Sequence, residues 1–175
     1  MKTRATRAGF TLLELIVTVA LFGIITAAVV PSMSSFYQRN KIAAIVNNHT
    51  AAIQLARHTA VSENVFVVMC PTKDMLNCDS DWSRLKMVFI DEDNDGALDG
   101  NEEIIGSADM VKDAFIQSTR DNLRFAPFNT AQTFTASISI CTEAGNSLYS
   151  RALVINNVGR VRLERDPALI DCALN

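Results

Sequence analysis

The hydrophobic pattern changes character along the chain. From Phe10 to Val30 the sequence reads FTLLELIVTVALFGIITAAVV, with Glu14 its only charge. At about 1.5 Å rise per residue, a helix of this length spans the roughly 30 Å hydrocarbon core of a bilayer. Over 34–64 apolar positions recur at three- and four-residue steps. Ile42, Val46, His49, Ile53, Ala56 and Ala60 form one stripe, and Gln38, Arg39, Asn47, Gln54 and Arg57 lie off it. This predicts an amphipathic helix whose stripe faces a sheet. From 65 to 175 the pattern breaks into short β-rich runs divided by turn residues: Val65–Cys70, Lys86–Ile90, Glu103–Gly106, Leu123–Pro127, Thr133–Cys141, Arg151–Asn156 and Gly159–Arg165. Phe134, Ala136, Ile138 and Ile140 alternate onto one side of their strand. Asn156-Asn157-Val158-Gly159 reads as a hairpin turn. The expected fold class is α+β, a long N-terminal helix packed on an antiparallel sheet domain.

Composition sharpens the first regime. Mean hydropathy is +0.15 and 49% of residues are hydrophobic, high for a small soluble domain, and the excess lies in 10–30. The preceding MKTRATRAG carries Lys2, Arg4 and Arg7 and no acid. That asymmetry predicts a cytoplasmic N-terminus with the rest of the chain outside. Losing this leader takes Lys+Arg from 16 to 13 against 19 acidic residues, moving the side-chain balance from −3 to −6. A domain that acidic is no general polyanion binder, so nucleic-acid contact needs a local patch. Cys70, Cys78, Cys141 and Cys172 follow an export-type N-terminus, which favours disulfides over metal or thiol chemistry. Of the three pairings, the spacing favours Cys70–Cys78 and Cys141–Cys172.

An ordinary signal peptide cut near Ala28, or a plain signal anchor, are the simpler readings of the N-terminus. Two details oppose them. The hydrophilic-to-apolar junction falls at Gly9-Phe10, on the near side of the apolar run, and Glu14 sits within the first helical turns. A carboxylate deep in a membrane costs about 2.5–3.5 kcal/mol and is normally kept for a partner. Gly9-Phe10-Thr11-Leu12-Leu13-Glu14 resembles the class III signal of type IV prepilins and type II secretion pseudopilins. The resemblance implies that prepilin peptidase cuts between Gly9 and Phe10, and that Phe10 becomes N-methylphenylalanine. It implies that Glu14 neutralises the N-terminal amine of a neighbouring subunit, since each charge is unstable in apolar surroundings unless paired. Pro31 falls where pilins carry a helix-kinking proline.

The body of the chain, with its Cys-x7-Cys loop, Asp81-Trp82 before a strand, acidic loop and late Gly-Arg-x-Arg, resembles the GspH/FimT branch of minor pilins and pseudopilins. Leu85-Lys86 departs from it, because the family commonly has a glycine before that strand; this bears on the local turn. The resemblance implies a leader at 1–9, a transmembrane and assembly helix at 10–33, the amphipathic half of the helix at 34–64 and a sheet domain at 65–175. It implies other pilins or pseudopilins, the prepilin peptidase and the bacterial inner membrane as partners. The chain would pass the membrane once with its sheet domain periplasmic, then enter a pilus or pseudopilus near the tip.

Two clusters carry candidate chemistry. Asp91, Asp93, Asp95, Gly96, Asp99 and Glu102 fit the calcium-loop template D-x-[DN]-x-[DN]-G-x5-E. Met87-Val88-Phe89-Ile90 before them reads as strand rather than helix, so a solvated acidic turn is the competing reading. Calcium would act structurally there, and no cofactor is required. Arg151, Arg160, Arg162 and Arg165 form a basic group on the last strands, and in FimT-like proteins of natural competence Gly-Arg-x-Arg is linked to DNA. Arginine forks suit phosphates. Glu164 and Asp166 lie among them and no aromatic residues interleave to stack bases. His49 and His58 do not share a helix face as metal ligands would. Nothing in the sequence points to catalysis.

Overall fold

The computed structural model describes residues 11–128, 130, 134–142 and 148–172, apart from the side chains at 28, 31 and 32. Gly9, Phe10 and the side chain of Pro31 therefore lie outside the described residues. The chain divides into two compact units, 1–39 and 40–175. Helix α1 runs Leu12–Ser62. It opens on Thr11, whose hydroxyl accepts the backbone N–H of Glu14 at 3.3 Å. Thr11-x-x-Glu14 is the sequence of a capping box, and the acid also sits well in the first turn against the helix dipole.

In the first unit the apolar side chains point outward all round. Leu12, Leu13, Phe22 and Ile24 are each at least 69% exposed. Among the described residues no helix is long and apolar enough to cross a membrane. The span expected over 10–33 takes in Phe10 and three side chains outside those residues, so it stands as an expectation of the sequence.

The second unit holds the rest of α1 and two four-stranded antiparallel sheets. β1 (Phe66–Thr72), β2 (Leu85–Asp91), β3 (Ile104–Ala108) and β5 (Leu123–Phe125) form one, in the order β3-β2-β1-β5. β4 (Ala114–Ser118), β6 (Ala136–Thr142), β7 (Arg151–Ile155) and β8 (Val161–Glu164) form the other, in the order β4-β6-β7-β8. The helical stripe is the seam of the core. Ile42, Val46, His49, Ile53, Ala56 and Ala60 are all at most 6% exposed. The apolar members share one cluster with Val67 and Met69 of β1, Ile116 of β4, Ile138 and Ile140 of β6, and Leu153 and Ile155 of β7.

The second face of the first sheet is also covered. Val68, Cys70, Met87 and Phe89 form a smaller cluster, capped by Met75 from the Cys70–Cys78 loop and Leu98 from the acidic loop. The two loops thus act as lids on a strand pair that is apolar on both sides, which is why β1 lacks the alternation of a half-buried strand. Both expected disulfides are present, with Cα separations of 5.6 Å for Cys70–Cys78 and 5.9 Å for Cys141–Cys172.

Two features differ from the sequence expectations. β4 has no counterpart among the expected strands, because its apolar signal is only the short run Ala114-Phe115-Ile116 and pairing with β6 makes it a strand. Lys86 is more than a local turn residue. It is fully buried, and its ammonium donates to the carbonyls of Trp82, Arg84 and Asp109 at 3.2, 2.6 and 2.6 Å. Burial draws its pKa down to about 8 against the opposing pull of Asp109 and Asp81.

His49 is a packed core histidine. Its Nδ1 lies 2.8 Å from the carbonyl of Ile45, and its Nε2 is buried without a partner. Burial, followed by the charge of Lys86, lowers its pKa from 6.5 to about 4, although the Ile45 hydrogen bond opposes this. The unfolded chain therefore binds a proton near pH 6.5 that the folded chain refuses until about pH 4. Stability should fall as pH drops through that window, by about 3 kcal/mol in all. Urea unfolding between pH 4 and 7 should show this loss in the native chain and its absence in His49→Leu, relative to their values at pH 7.

The disulfides close loops of different length, with sequence separations of 31 and 8. Chain entropy then predicts a loss of about 4 kcal/mol for the Cys141→Ser/Cys172→Ser pair and about 2.5 kcal/mol for Cys70→Ser/Cys78→Ser. Denaturant midpoints of the two double variants should rank in that order.

Candidate functional site

The acidic loop joins β2 to β3, so its flanks are strands and not the helices of an EF-hand. Asp91 ends β2 and is fully buried. Its Oδ2 accepts the backbone N–H of Gly96 at 3.1 Å and the Arg124 guanidinium at 3.2 Å, whereas its Oδ1 is buried without a hydrogen-bond partner. Asn94 and Gly96 both take left-handed backbone, with φ of 64° and 86°. A Cβ on Gly96 would meet the Arg124 guanidinium at an ordinary contact distance of 3.6 Å, so it is the left-handed bend that calls for glycine. The same guanidinium also donates to the carbonyl and side-chain oxygens of Asn94.

Asp93, Asp95 and Asp91 each bring a carboxylate oxygen within 4.8 Å of the other two. Asp99 and Glu102 are not part of that group. The Glu102 carboxylate instead accepts the backbone N–H groups of Glu92 at 2.8 Å and Asp99 at 3.2 Å, which closes the neck of the loop. Desolvation raises the Glu102 pKa, ahead of the opposing hydrogen bonds from Asp99 and Glu92. The structure thus gathers three of the five expected calcium ligands and uses a fourth, Glu102, as a backbone clasp. Arg124 is the group that sequence reasoning missed. It lies on β5, more than twenty residues from the loop, and no local motif marks it.

The arginines near the C-terminus do not form one surface. The β7–β8 register pairs Val154 with Arg162 and Ala152 with Glu164, so Arg162 and Glu164 share a face. Their side chains pair at 2.9 Å. Arg151 has the opposite parity, that of Leu153 and Ile155, and donates to the carbonyls of Leu148 and Ser150. Arg160 and Arg165 are exposed. The hairpin between these strands is built as expected. The Asn156 side chain accepts from Val158 and Arg160, and Gly159 takes φ of 71°. No carboxylate–histidine or nucleophile–base pair occurs among the described contacts.

Removing the Arg124 charge would strand the buried Asp91 carboxylate. Arg124→Gln should destabilise the chain by about 2–3 kcal/mol, below the usual cost of breaking a fully buried pair because the guanidinium is partly solvated. Chemical denaturation would measure the loss, and Asp91→Asn in the same chain should recover part of it.

The family model described as Type II transport protein GspH matches residues 46–159, well over half of the chain. A second, the prokaryotic N-terminal methylation motif, matches residues 4–30. No curated protein matches. Two crystal structures of the type IV minor pilin FimU of Pseudomonas aeruginosa strain PAO1 share the fold. One, in space group P21, is 20% identical, with a TM-score of 0.59 over 79% of this chain and 98% of that one. The other, in space group P65, is 19% identical, with a TM-score of 0.51 over 77% of this chain and 97% of that one.

Proposed function

The chain belongs to the GspH family of type II transport proteins, and from that premise we propose that it is a minor subunit whose function is assembly through its N-terminal helix. The family and fold are those of structural pilin subunits of a pilus or pseudopilus. The observation that carries the assembly reading is the stretch Leu12–Val30 of the first unit's helix, apolar on every side and interrupted by the single charge of Glu14. A helix of that kind is stable only when lipid or other helices surround it. In this reading prepilin peptidase cuts between Gly9 and Phe10, as the methylation motif over 4–30 suggests. Lipid covers the helix before assembly and neighbouring subunits cover it afterwards. Glu14 then meets the new amine of a neighbour, and a position near the filament tip suits a minor subunit.

Thr11-x-x-Glu14 is also a capping-box sequence, so a helix-capping role competes with the amine-pairing role. Glutamine separates them, because it caps as glutamate does but carries no charge. Both Glu14→Gln and Glu14→Ala should be processed normally, as judged by N-terminal sequencing. Both should fail to enter filaments or support secretion. Full assembly of Glu14→Gln would leave only the capping role.

A DNA-binding reading has less support, because Arg162 is paired with Glu164 and Arg151 faces away from it. Salt-dependent gel shift lost on replacing Arg160 and Arg162 would reinstate it.

A further inference from the structure

The loop between β2 and β3 holds a buried carboxylate oxygen that has no hydrogen-bond partner among the described residues. Asp91 is fully buried, yet its Oδ1 lacks any hydrogen-bond partner. An ionised oxygen in that position is unstable unless a cation or donor reaches it. The guanidinium of Arg124 and the N–H of Gly96 are both spent on Oδ2. Asp93 and Asp95 are exposed and bring carboxylate oxygens within 4.8 Å of Asp91 and of each other. Two oxygens bound to one calcium ion at about 2.4 Å lie no more than about 4.8 Å apart, so all three carboxylates are close enough to share an ion. Seven carboxylates lie between Asp91 and Glu103, so one arginine leaves the loop strongly negative.

We propose that Asp91, Asp93 and Asp95 form a calcium site, with Asp91 Oδ1 as its buried ligand and Arg124 as a permanent neighbour that holds the other Asp91 oxygen. The site is not a complete EF-hand sphere. Glu102, which occupies the position of the bidentate ligand, is committed to the backbone N–H groups of Glu92 and Asp99. Water and loop carbonyls must supply the remaining oxygens. Three carboxylates with a cation beside them place the affinity at about 10⁻⁴–10⁻³ M, the range of extracellular calcium modules. A site of that strength would fill outside the cytoplasm and stay empty within it. Magnesium fits poorly, since it holds its waters and demands a tight octahedron. The ion would link β2, through Asp91, to the loop that Leu98 seats on the outer face of the same sheet. It would therefore stiffen a surface of the second unit, whether or not the helix assembles as proposed above.

The full-length chain in detergent micelles, stripped with a calcium chelator, provides the test. Equilibrium binding of calcium should saturate at one ion with a midpoint of about 10⁻⁴–10⁻³ M, and Tm should rise by about 3 °C at tenfold excess over that midpoint. Equal magnesium should not displace the ion. Asp93→Asn and Asp95→Asn alter exposed side chains, and each should weaken binding by about tenfold or more while circular dichroism stays native. Absence of saturable binding up to about 10 mM calcium, ten times the top of that range, overturns the site. So does unchanged affinity in both variants.

Discussion

The stripe of Ile42, Val46, His49, Ile53, Ala56 and Ala60 is the constraint on which the folded unit depends. Each of these residues is at most 6% exposed, and the apolar ones share a single cluster with strands from both sheets. Two four-stranded sheets without a common apolar partner would each present an unpacked face. The helix joins them into one core and so sets which face of every strand is inward. It also sets a condition on its own polar member. His49 enters the core neutral, because burial and the nearby Lys86 both disfavour its charged form. Lys86 itself is tolerated only because three carbonyls surround its ammonium.

The outer face of the first sheet poses the opposite problem, with apolar residues and no second helix to cover them. Short loops provide the cover. Met75 comes from the loop closed by Cys70–Cys78, and Leu98 from the acidic loop. The acidic loop is thus a structural lid as well as a negative cluster. Its seat on the sheet explains why Asp91 is buried at its root, and burial in turn makes Arg124 necessary. Charge, cover and strand order are coupled here: β5 lies beside β1, so Arg124 reaches Asp91 across the width of the strand between.

The first unit follows another rule. Its apolar residues have no inward face among themselves, so stability must come from outside the chain. Membership of the GspH family, whose fold also appears in the FimU minor pilin, supplies the setting in which such a helix is useful. The chemistry of the chain is divided accordingly. In the proposed function association belongs to the helix, and the proposed calcium ion belongs to a loop of the sheet unit.

Much of this was legible from residue order. Periodicity identified the helical stripe correctly at every position, because a 3.6-residue repeat over some twenty residues admits one inward face. All seven expected strand regions overlap an observed strand, β1 to β3 and β5 to β8, and reflect the same local signal, as does the Asn156–Gly159 turn. Cysteine spacing identified both disulfides. Short-range chemistry of this kind is written in neighbouring residues. What remained hidden depends on residues far apart in the chain. β4 exists because β6 offers it an edge, and Lys86 is buried because Trp82, Arg84 and Asp109 converge on it. Arg124 neutralises Asp91 from another strand, while Glu102 turns from the expected metal position to backbone amides. The register of β7 and β8 separates arginines that look adjacent in the sequence. Residue order alone specifies the apolar N-terminal helix, the α+β class and the acidic loop. Which carboxylates of that loop converge, and which cation they meet, was decided only when the sheet brought β2, β3 and β5 together.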